Sequence, residues 1–541
     1  MDTAREETLG DLWHAQVRRR GDHPFLVAED AVGAVRTFGY ADFDALVASA
    51  AAALRRLGVR PGDAVVLHLP LGAELVRHLL AVMVSGAVAV VQDPGSPAPE
   101  CAHVAQRVRA RLAVCTPEAA GRYAGVPGLR VVGPVAAGAV GVGAVGVGAV
   151  GAVGAPGTGQ LLGAGVTGSD TAGVVFTSGS TATPKGVVLT HANLVFSGRF
   201  VQWQAALTPA DRLLTTMPAC HVNFQLNALL PVVAAGATLV VVERYSARRF
   251  WHQVQAHRAT VVQSIAMIVR TQLCRPVEPG ERDHDVREIL YYLPLPDAEK
   301  QEYERRFGVR LLNSYGTSEC LVGAITDPPA GERRWPSVGR VGPGYEARVA
   351  GPDGRALPPG EPGEIQLRGE PGVSLMAGYL DDPESTAAAY DADGWMRTGD
   401  LGYVDADGWY YFLDRRSRII KRGAENVSPA RVEAVLLAHP GIAQAAVVGV
   451  PDAVYDEAVL AVVVPRPGVA LTEADVRAHC AAHLPAPAVP GTVQVADRLP
   501  RTASYKVATG ALSARAAARA PGTAGPARGV RPAEGARPAR S

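Results

Sequence analysis

Residues 1–130 repeat one pattern, and that pattern restricts the fold more than any other feature of the chain. An Ala/Leu-rich stretch with helical spacing gives way to a turn and then to a short, wholly apolar run. Tyr40–Leu57 has helical spacing and stops at Gly58, and VRPGDAVVLHLP (59–70) follows as a turn and a buried strand. Glu74–Ser85 reads as a helix again, and GAVAVVQDP (86–94) as a second strand. An apolar run without polar alternation is a strand covered on both faces, and strand–helix alternation builds a parallel sheet clad in helices. The pattern resumes at GVVF (173–176) and continues to about 325, with GATLVVVE (236–243) and VRLLNSYG (309–316) as further strands.

The period changes after that. Short strands and Gly/Pro turns fill 338–414, as in GPDGRALPPGEPGEIQLRG (351–369), and indicate a small β-rich subdomain. A compact mixed unit follows: helix 428–438, strands 443–449 and 458–464, helix 472–484. The expected fold class is α/β, with a large N-terminal domain of α/β subdomains plus the small β-rich subdomain, then a small α+β C-terminal domain. The expected boundaries are 1–416, 417–510, and a disordered tail over the Ala/Pro/Gly/Arg-rich 511–541. Within the first domain, 136–157 is a low-complexity Gly/Ala/Val insert. Its run GAVGVGAVGVGAVGAVG (138–154) is neutral enough for a membrane span, but Gly at every second or third position opposes a stable helix. It reads as a flexible connector, and no membrane span is expected.

With 541 residues, 48% of them hydrophobic, there is material for a large core. Lys+Arg is 53 against 52 Asp+Glu, a net charge of +1, which gives no support for a nucleic-acid partner or an acidic membrane surface. The six cysteines are scattered without a CxxC pair, so neither a zinc site nor a disulfide framework is indicated. MDTAREETLG is acidic where a secretory signal would be basic, and a cytoplasmic setting is expected. Only Lys185, Lys300, Lys421 and Lys506 among the basic residues are lysines. Where a cation merely has to exist, Arg serves, so a surviving Lys is a candidate for chemistry that wants a compact, flexible ammonium; Lys300, in the polar run DAEKQEYERR, reads instead as an ordinary solvated helix residue.

TSGSTATPKG (177–186) follows an apolar strand. Thr177, Ser178, Gly179, Ser180 and Thr181 can wrap an anion with backbone N–H groups and hydroxyls, and Lys185 adds a mobile charge. It is not the P-loop GxxxxGK[ST], because Pro184 precedes Lys185 and Gly186 follows it. On composition alone the loop reads equally well as an anion cradle or as plain surface. NSYGTSE (313–319) puts Glu319 at a strand exit, where a carboxylate is well placed to hold Mg²⁺ on a nucleotide. TGD (398–400) puts Asp400 in a turn, where it can accept both hydroxyls of a ribose. DRRSRIIKRGAENVSP (414–429) is a dense basic turn, and PRTASYK (500–506) carries Lys506.

Taken in order, 177–186, 315–319, 398–400, 415–429 and 500–506 resemble the adenylate-forming superfamily of acyl- and aryl-CoA ligases, luciferases and adenylation domains. ERYSARRFW (243–251) and RRWPSVGRVG (333–342) look closest to its crotonobetaine/carnitine-CoA ligase branch. The resemblance implies ATP, Mg²⁺ and CoA as co-substrates and cofactor, a small organic acid as substrate, and a C-terminal domain that moves about a hinge near Arg418. The 177–186 loop would hold the β- and γ-phosphates. Tyr315 and Gly316 would flank the adenine, Ser318 would contact the α-phosphate, Glu319 would bind Mg²⁺, and Asp400 and Arg415 would take the ribose–phosphate region. Lys506 would reach the α-phosphate and the attacking oxyanion. Rotation would then withdraw Lys506 and bring in 421–429, with Gly423 lining the tunnel for the thiol. MPACHVNFQ (217–225) makes His221 the candidate at the acid's carboxylate; the alternative is a histidine packed beneath the loop.

Ala182, Ser318, Arg418, Ala424 and Tyr505 depart from the family pattern, the last three in the mobile domain. Three functions compete on these residues. The first is an AMP-forming acid–CoA ligase. The second is an ATP-dependent diazotase that activates nitrite for transfer to an aryl amine, as in antibiotic biosynthesis. The third is a non-catalytic binding relative, against which the intact Lys185, Glu319, Asp400 and Lys506 argue. The oligomeric state is not encoded in any of these motifs.

Overall fold

The computed structural model describes residues 6–134, 165–177, 184–292, 295, 297–415, 420–423, 425–427, 429–466, 468–500, 512–513 and 516. The phosphate-loop residues Ser178, Gly179, Ser180, Thr181 and Ala182, and also Arg418, Ala424, Tyr505, Lys506 and the whole Gly/Ala/Val insert, lie outside them. For Arg415 the backbone alone is described.

The expected alternation produces two large sheets. In the first, the strands Pro24–Glu29, Thr238–Val242, Arg212–Thr215, Val261–Ile265, Glu288–Tyr292 and Leu311–Tyr315 run parallel and side by side. Antiparallel Val35–Gly39 closes one edge, and Ile325–Thr326 with Arg340–Val341 the other. In the second, Thr171–Thr177, Val88–Val91, Ala64–His68, Leu112–Cys115 and Arg130–Val132 are parallel. Antiparallel Lys185–Thr190 and Gly378–Tyr379 complete that sheet.

Helices fill the space between the sheets. Ala73–Val84 is apolar nearly all round, which suits only a helix enclosed on every side; every residue in it but Glu74 is buried. His191–Gln204 starts on a capping box in which Thr190 accepts from the Asn193 N–H. One continuous core joins both large sheets and these helices.

The β-rich subdomain is a four-stranded antiparallel sheet of Glu346–Ala350, Gly363–Arg368, Met396–Val404 and Tyr410–Arg415. The C-terminal unit has its own core and its own sheet, built on the long pair Ile442–Asp452 and Asp456–Pro465. Helices Pro429–Ala438 and Glu473–His483 cover it. A short hairpin, Ile420–Arg422 with Glu425–Val427, extends the sheet.

Two expectations need correction. Leu512 and Ala516, assigned to a disordered tail, are helical and buried, packed with Val448, Leu460 and Leu499 against the C-terminal sheet. Lys300 reads from sequence as a solvated helix residue. In the structure its side chain is only 18% exposed, pairs with Glu304 at 2.6 Å, and lies 5.4 Å from the centre of the Trp335 ring.

Candidate active site

The structure brings the sequence-selected residues into three local groups: Lys185 with Glu319, Tyr315 with Asp400, and His221 with the C-terminal hairpin. Thr177 ends one strand, and Lys185 begins the antiparallel strand beside it, in direct register. The intervening loop therefore closes a hairpin and does not lead into a helix. That is the structural reason it lacks the P-loop pattern, in which the loop opens a helix.

The Lys185 ammonium lies 4.8 Å from the centre of the Tyr379 ring. The Tyr379 hydroxyl donates to Glu319 Oε1 at 2.8 Å. One tyrosine thus ties the loop lysine to the strand-exit carboxylate. Burial, followed by the Glu319 charge, pushes the Tyr379 phenol well up, so it stays a donor. Sequence reasoning missed Tyr379. Its only signal is the GYL run at 378–380, where Gly378–Tyr379 adds to the strand that carries Lys185.

Glu319 sits in the 3₁₀ turn Ser318–Cys320 immediately after Leu311–Tyr315. The turn folds tightly back: a Cβ at Gly316 would lie 2.0 Å from the Val322 carbonyl oxygen. Only glycine fits between Tyr315 and this turn. Among the described residues no group of three or more His, Cys, Asp or Glu could hold a metal ion. Magnesium is commonly held through one or two carboxylates with the remaining positions taken by water and substrate phosphates, and a single carboxylate such as Glu319 fits that pattern.

Tyr315 donates to Asp400 Oδ2 at 2.8 Å, and both side chains are buried. Burial and then the Asp400 charge raise the Tyr315 phenol well above its ordinary value. Asp400 lies within the strand Met396–Val404 and not in the expected turn, because the ladder to Arg415 extends through it; a hydrogen bond from its own N–H to Thr398 Oγ1 also holds it. Phe412 lies 6.0 Å from Tyr315, and the Lys421 ammonium lies 4.1 Å from the Phe412 ring centre.

His221 caps the short helix Val222–Phe224. Its Nε2 meets Glu425 Oε1 at 2.7 Å, across the boundary between the large domain and the C-terminal hairpin. The two residues shift consistently with a charged pair. Glu425 raises the His221 pKa against the opposing effect of burial. Burial pushes the Glu425 carboxyl up, but the His221 charge and hydrogen bond outweigh it and hold it below the ordinary carboxylate range. Gly423, at φ +62°, turns the hairpin just before Glu425, a backbone conformation that favours glycine. A second cross-domain pair, Arg431–Glu100, spans 2.7 Å, and both side chains are mostly buried. Neither Glu425 nor Arg431 was singled out as a partner from sequence.

The AMP-binding enzyme family matches residues 13–380, and the AMP-binding enzyme C-terminal domain matches 431–506. The chain belongs to the AMP-binding enzyme family. Its full-length likeness agrees. It is 38% identical over 515 residues to a crotonobetaine/carnitine–CoA ligase of Salmonella agona, covering 94% of this chain and 99% of that one. Among solved structures it resembles the amide bond synthetase McbA of Marinactinospora thermotolerans, with TM-score 0.81 and 28% identity over 93% of this chain and 99% of the other. It also resembles the Bacillus subtilis o-succinylbenzoate CoA synthetase MenE bound with the product analogue OSB-NCoA, with TM-score 0.79 and 25% identity over 94% and 99%. As a member of the AMP-binding enzyme family with this likeness, the protein is an ATP-dependent, AMP-forming acid–CoA ligase. Among the described residues no helix is long and apolar enough to cross a membrane.

Proposed function

We propose that this ligase adenylates a small organic acid at the site around Glu319 and Asp400 and passes the acyl group to the CoA thiol at the His221–Glu425 junction. In the first half-reaction the acid's carboxylate oxygen attacks the α-phosphorus of ATP, and pyrophosphate leaves. In the second the thiol attacks the acyl carbon, and AMP leaves.

The roles follow the chemistry of each group. Thr177, Ser178, Gly179, Ser180, Thr181 and Lys185 hold the β- and γ-phosphates. Ser318 meets the α-phosphate, and Tyr315 and Gly316 border the adenine. Asp400, oriented by the Tyr315 hydroxyl at 2.8 Å, accepts from the ribose hydroxyls, with Arg415 beside it. Lys506 neutralises charge at the attacked phosphorus, and Gly423 leaves room for the thiol arm. Mg²⁺ on Glu319 would neutralise the phosphate oxygens. Fixed cations around a phosphoryl-type displacement stabilise the charge that spreads in its transition state.

The observation that carries this reading is the chain Lys185–Tyr379–Glu319, which binds a phosphate-type loop to a metal-type carboxylate, with the Tyr315–Asp400 pair anchored four residues before Glu319 by Tyr315. The contact of Glu425 with His221 supports a thiol step at the same site. The six free cysteines fit a reducing cytoplasmic setting. A pyrophosphate-release screen over acids, followed by mass spectrometry with CoA, tests the reading. The expected result is an acyl-CoA, with pyrophosphate release abolished by Lys506→Ala. Pyrophosphate release with no acyl-CoA from any acid would refute the CoA step. A diazo product from nitrite and an aminobenzoate would then put the diazotase reading in its place.

A further inference from the structure

Both cross-domain contacts, His221–Glu425 and Glu100–Arg431, border one loop of the large domain. It runs from Gln92 to Glu100, QDPGSPAPE, after the strand Val88–Val91. Pro94, Pro97 and Pro99 have no N–H, so the loop brings few donors with which to order itself. A neighbouring segment supplies them. Arg122, in the 3₁₀ turn Gly121–Tyr123, donates from Nη1 to the Pro94 carbonyl at 2.7 Å and to the Ser96 carbonyl at 2.8 Å. The same nitrogen lies 3.5 Å from His68 Nε2, at the end of the strand Ala64–His68. The Tyr123 hydroxyl meets the other ring nitrogen of His68 at 2.9 Å. The turn that carries Arg122 is thus pinned to the sheet.

From Ser96 a path of hydrogen bonds leads to the C-terminal domain. Ser96 is fully buried, and its Oγ accepts from Gln92 Nε2 at 2.6 Å and donates to Glu100 Oε1 at 3.2 Å. The other oxygen of Glu100 takes Arg431 Nη2 at 2.7 Å. Near the start of the loop, Asp93 Oδ1 accepts from the Gly95 N–H. Asp93 Oδ2 lies 3.8 Å from the sulfur of Cys220, the residue before His221. One guanidinium therefore holds the span whose two ends reach the two cross-domain pairs.

We propose that Arg122 is a positioning residue for the second half-reaction, holding 92–96 so that Glu100 and Asp93 form a fixed seat on which the C-terminal domain docks. Without it the Pro94 and Ser96 carbonyls lose a charged donor, Ser96 is free to leave Glu100, and Glu100 loses the direction in which it meets Arg431. Glu319 and Asp400 hang on Leu311–Tyr315 and Met396–Val404, so the first half-reaction does not depend on this seat. The inference rests on the ligase reading above and adds a residue to its second step.

The test uses the full-length protein. Arg122→Met should slow single-turnover thioester formation from preformed acyl-adenylate about tenfold, the factor carried by a hydrogen bond from a charged group, and change pyrophosphate release without CoA by less than about twofold. Arg122→Lys keeps a charged donor and should recover most of the loss. Ser96→Ala cuts the path one step further on and should show the same split. Added to Arg431→Gln, Arg122→Met should slow the thioester step by less than about twofold more, because residues on one path are not additive. Hydrogen exchange supplies a readout independent of the chemistry: in Arg122→Met the amides of 429–438 should exchange faster together with those of 92–101. Equal slowing of both half-reactions, independent effects of Arg122→Met and Arg431→Gln, or faster exchange confined to 92–101 overturns the inference, while thioester formation by the unaltered protein leaves the ligase reading standing. Faster exchange in both segments, with no acyl-CoA from the unaltered protein, keeps the docking role of Arg122 and sinks the CoA step.

Discussion

Replacing Glu425 by Gln removes one charge from the cross-domain pair and leaves His221 with a neutral neighbour of the same shape. The pair is 2.7 Å long, with side chains 33% and 27% exposed. Exposed pairs contribute about 0.2–1 kcal/mol, and breaking a buried one costs about 3–5 kcal/mol. A pair of intermediate exposure is worth about 1.5–2 kcal/mol, or about 10- to 30-fold in the population of the docked hairpin. The assay separates the half-reactions: pyrophosphate release without CoA, and single-turnover thioester formation from preformed acyl-adenylate. The second should slow by that factor relative to the first.

The pH dependence follows from the same pair. Docking raises the His221 pKa above its ordinary value, so that contribution is full below the undocked pKa and is lost as pH rises through the raised docked value. Glu425 is held below its ordinary range, so its contribution is lost as pH falls through that depressed value. Thioester formation should fall away on both sides of this window, and in Glu425→Gln the alkaline limb should move to lower pH. Equal slowing of both half-reactions, or an unchanged alkaline limb, would refute the reasoning.

Gly316→Ala sets a methyl 2.0 Å from a backbone carbonyl and should cost about 3 kcal/mol in denaturant unfolding, together with adenylation. Tyr315→Phe leaves buried Asp400 without its hydroxyl donor; a loss of about 1–2 kcal/mol in thermal unfolding and a raised KM for ATP are expected. Arg431→Gln removes the partner of Glu100 and should slow thioester formation severalfold more than pyrophosphate release, with rescue by the exchange Arg431→Glu, Glu100→Arg. Lys506→Arg keeps the charge but not the compact ammonium and should cripple pyrophosphate release, so near-normal rates would show the lysine to be incidental.

What could be read from sequence was what depends on neighbours along the chain. The helix Tyr40–Arg56 and the strand Leu311–Tyr315 lie within a residue or two of their expected ends, because helical spacing and apolar runs are local signals. The placement of Glu319 was legible because a strand exit is where an α/β sheet presents a carboxylate; that of Asp400 was not, because the TGD run reads as a turn but is drawn into the strand Met396–Val404 by its ladder to Arg415. The partners were not legible. Tyr379 meets Glu319 across 60 residues, and Glu425 meets His221 across 204, each through a pairing that no local pattern encodes. Lys300 shows the divide within one residue: its i+4 partner Glu304 is visible in the sequence, but the Trp335 ring over which it lies is not.

The hairpin register between Thr177 and Lys185 also bears on how such an enzyme can change. Both ends of the 178–183 segment are held by ladder bonds to one another and, through Gly378–Tyr379 and Val88–Val91, to the rest of the sheet. A segment fixed at two adjacent points closes at nearly the same entropy whether a residue is gained or lost. No helix downstream has to turn to accommodate it. The loop is therefore a replaceable cassette. Grafting it from another family member, length included, should retune nucleotide affinity while the strands on either side keep their register.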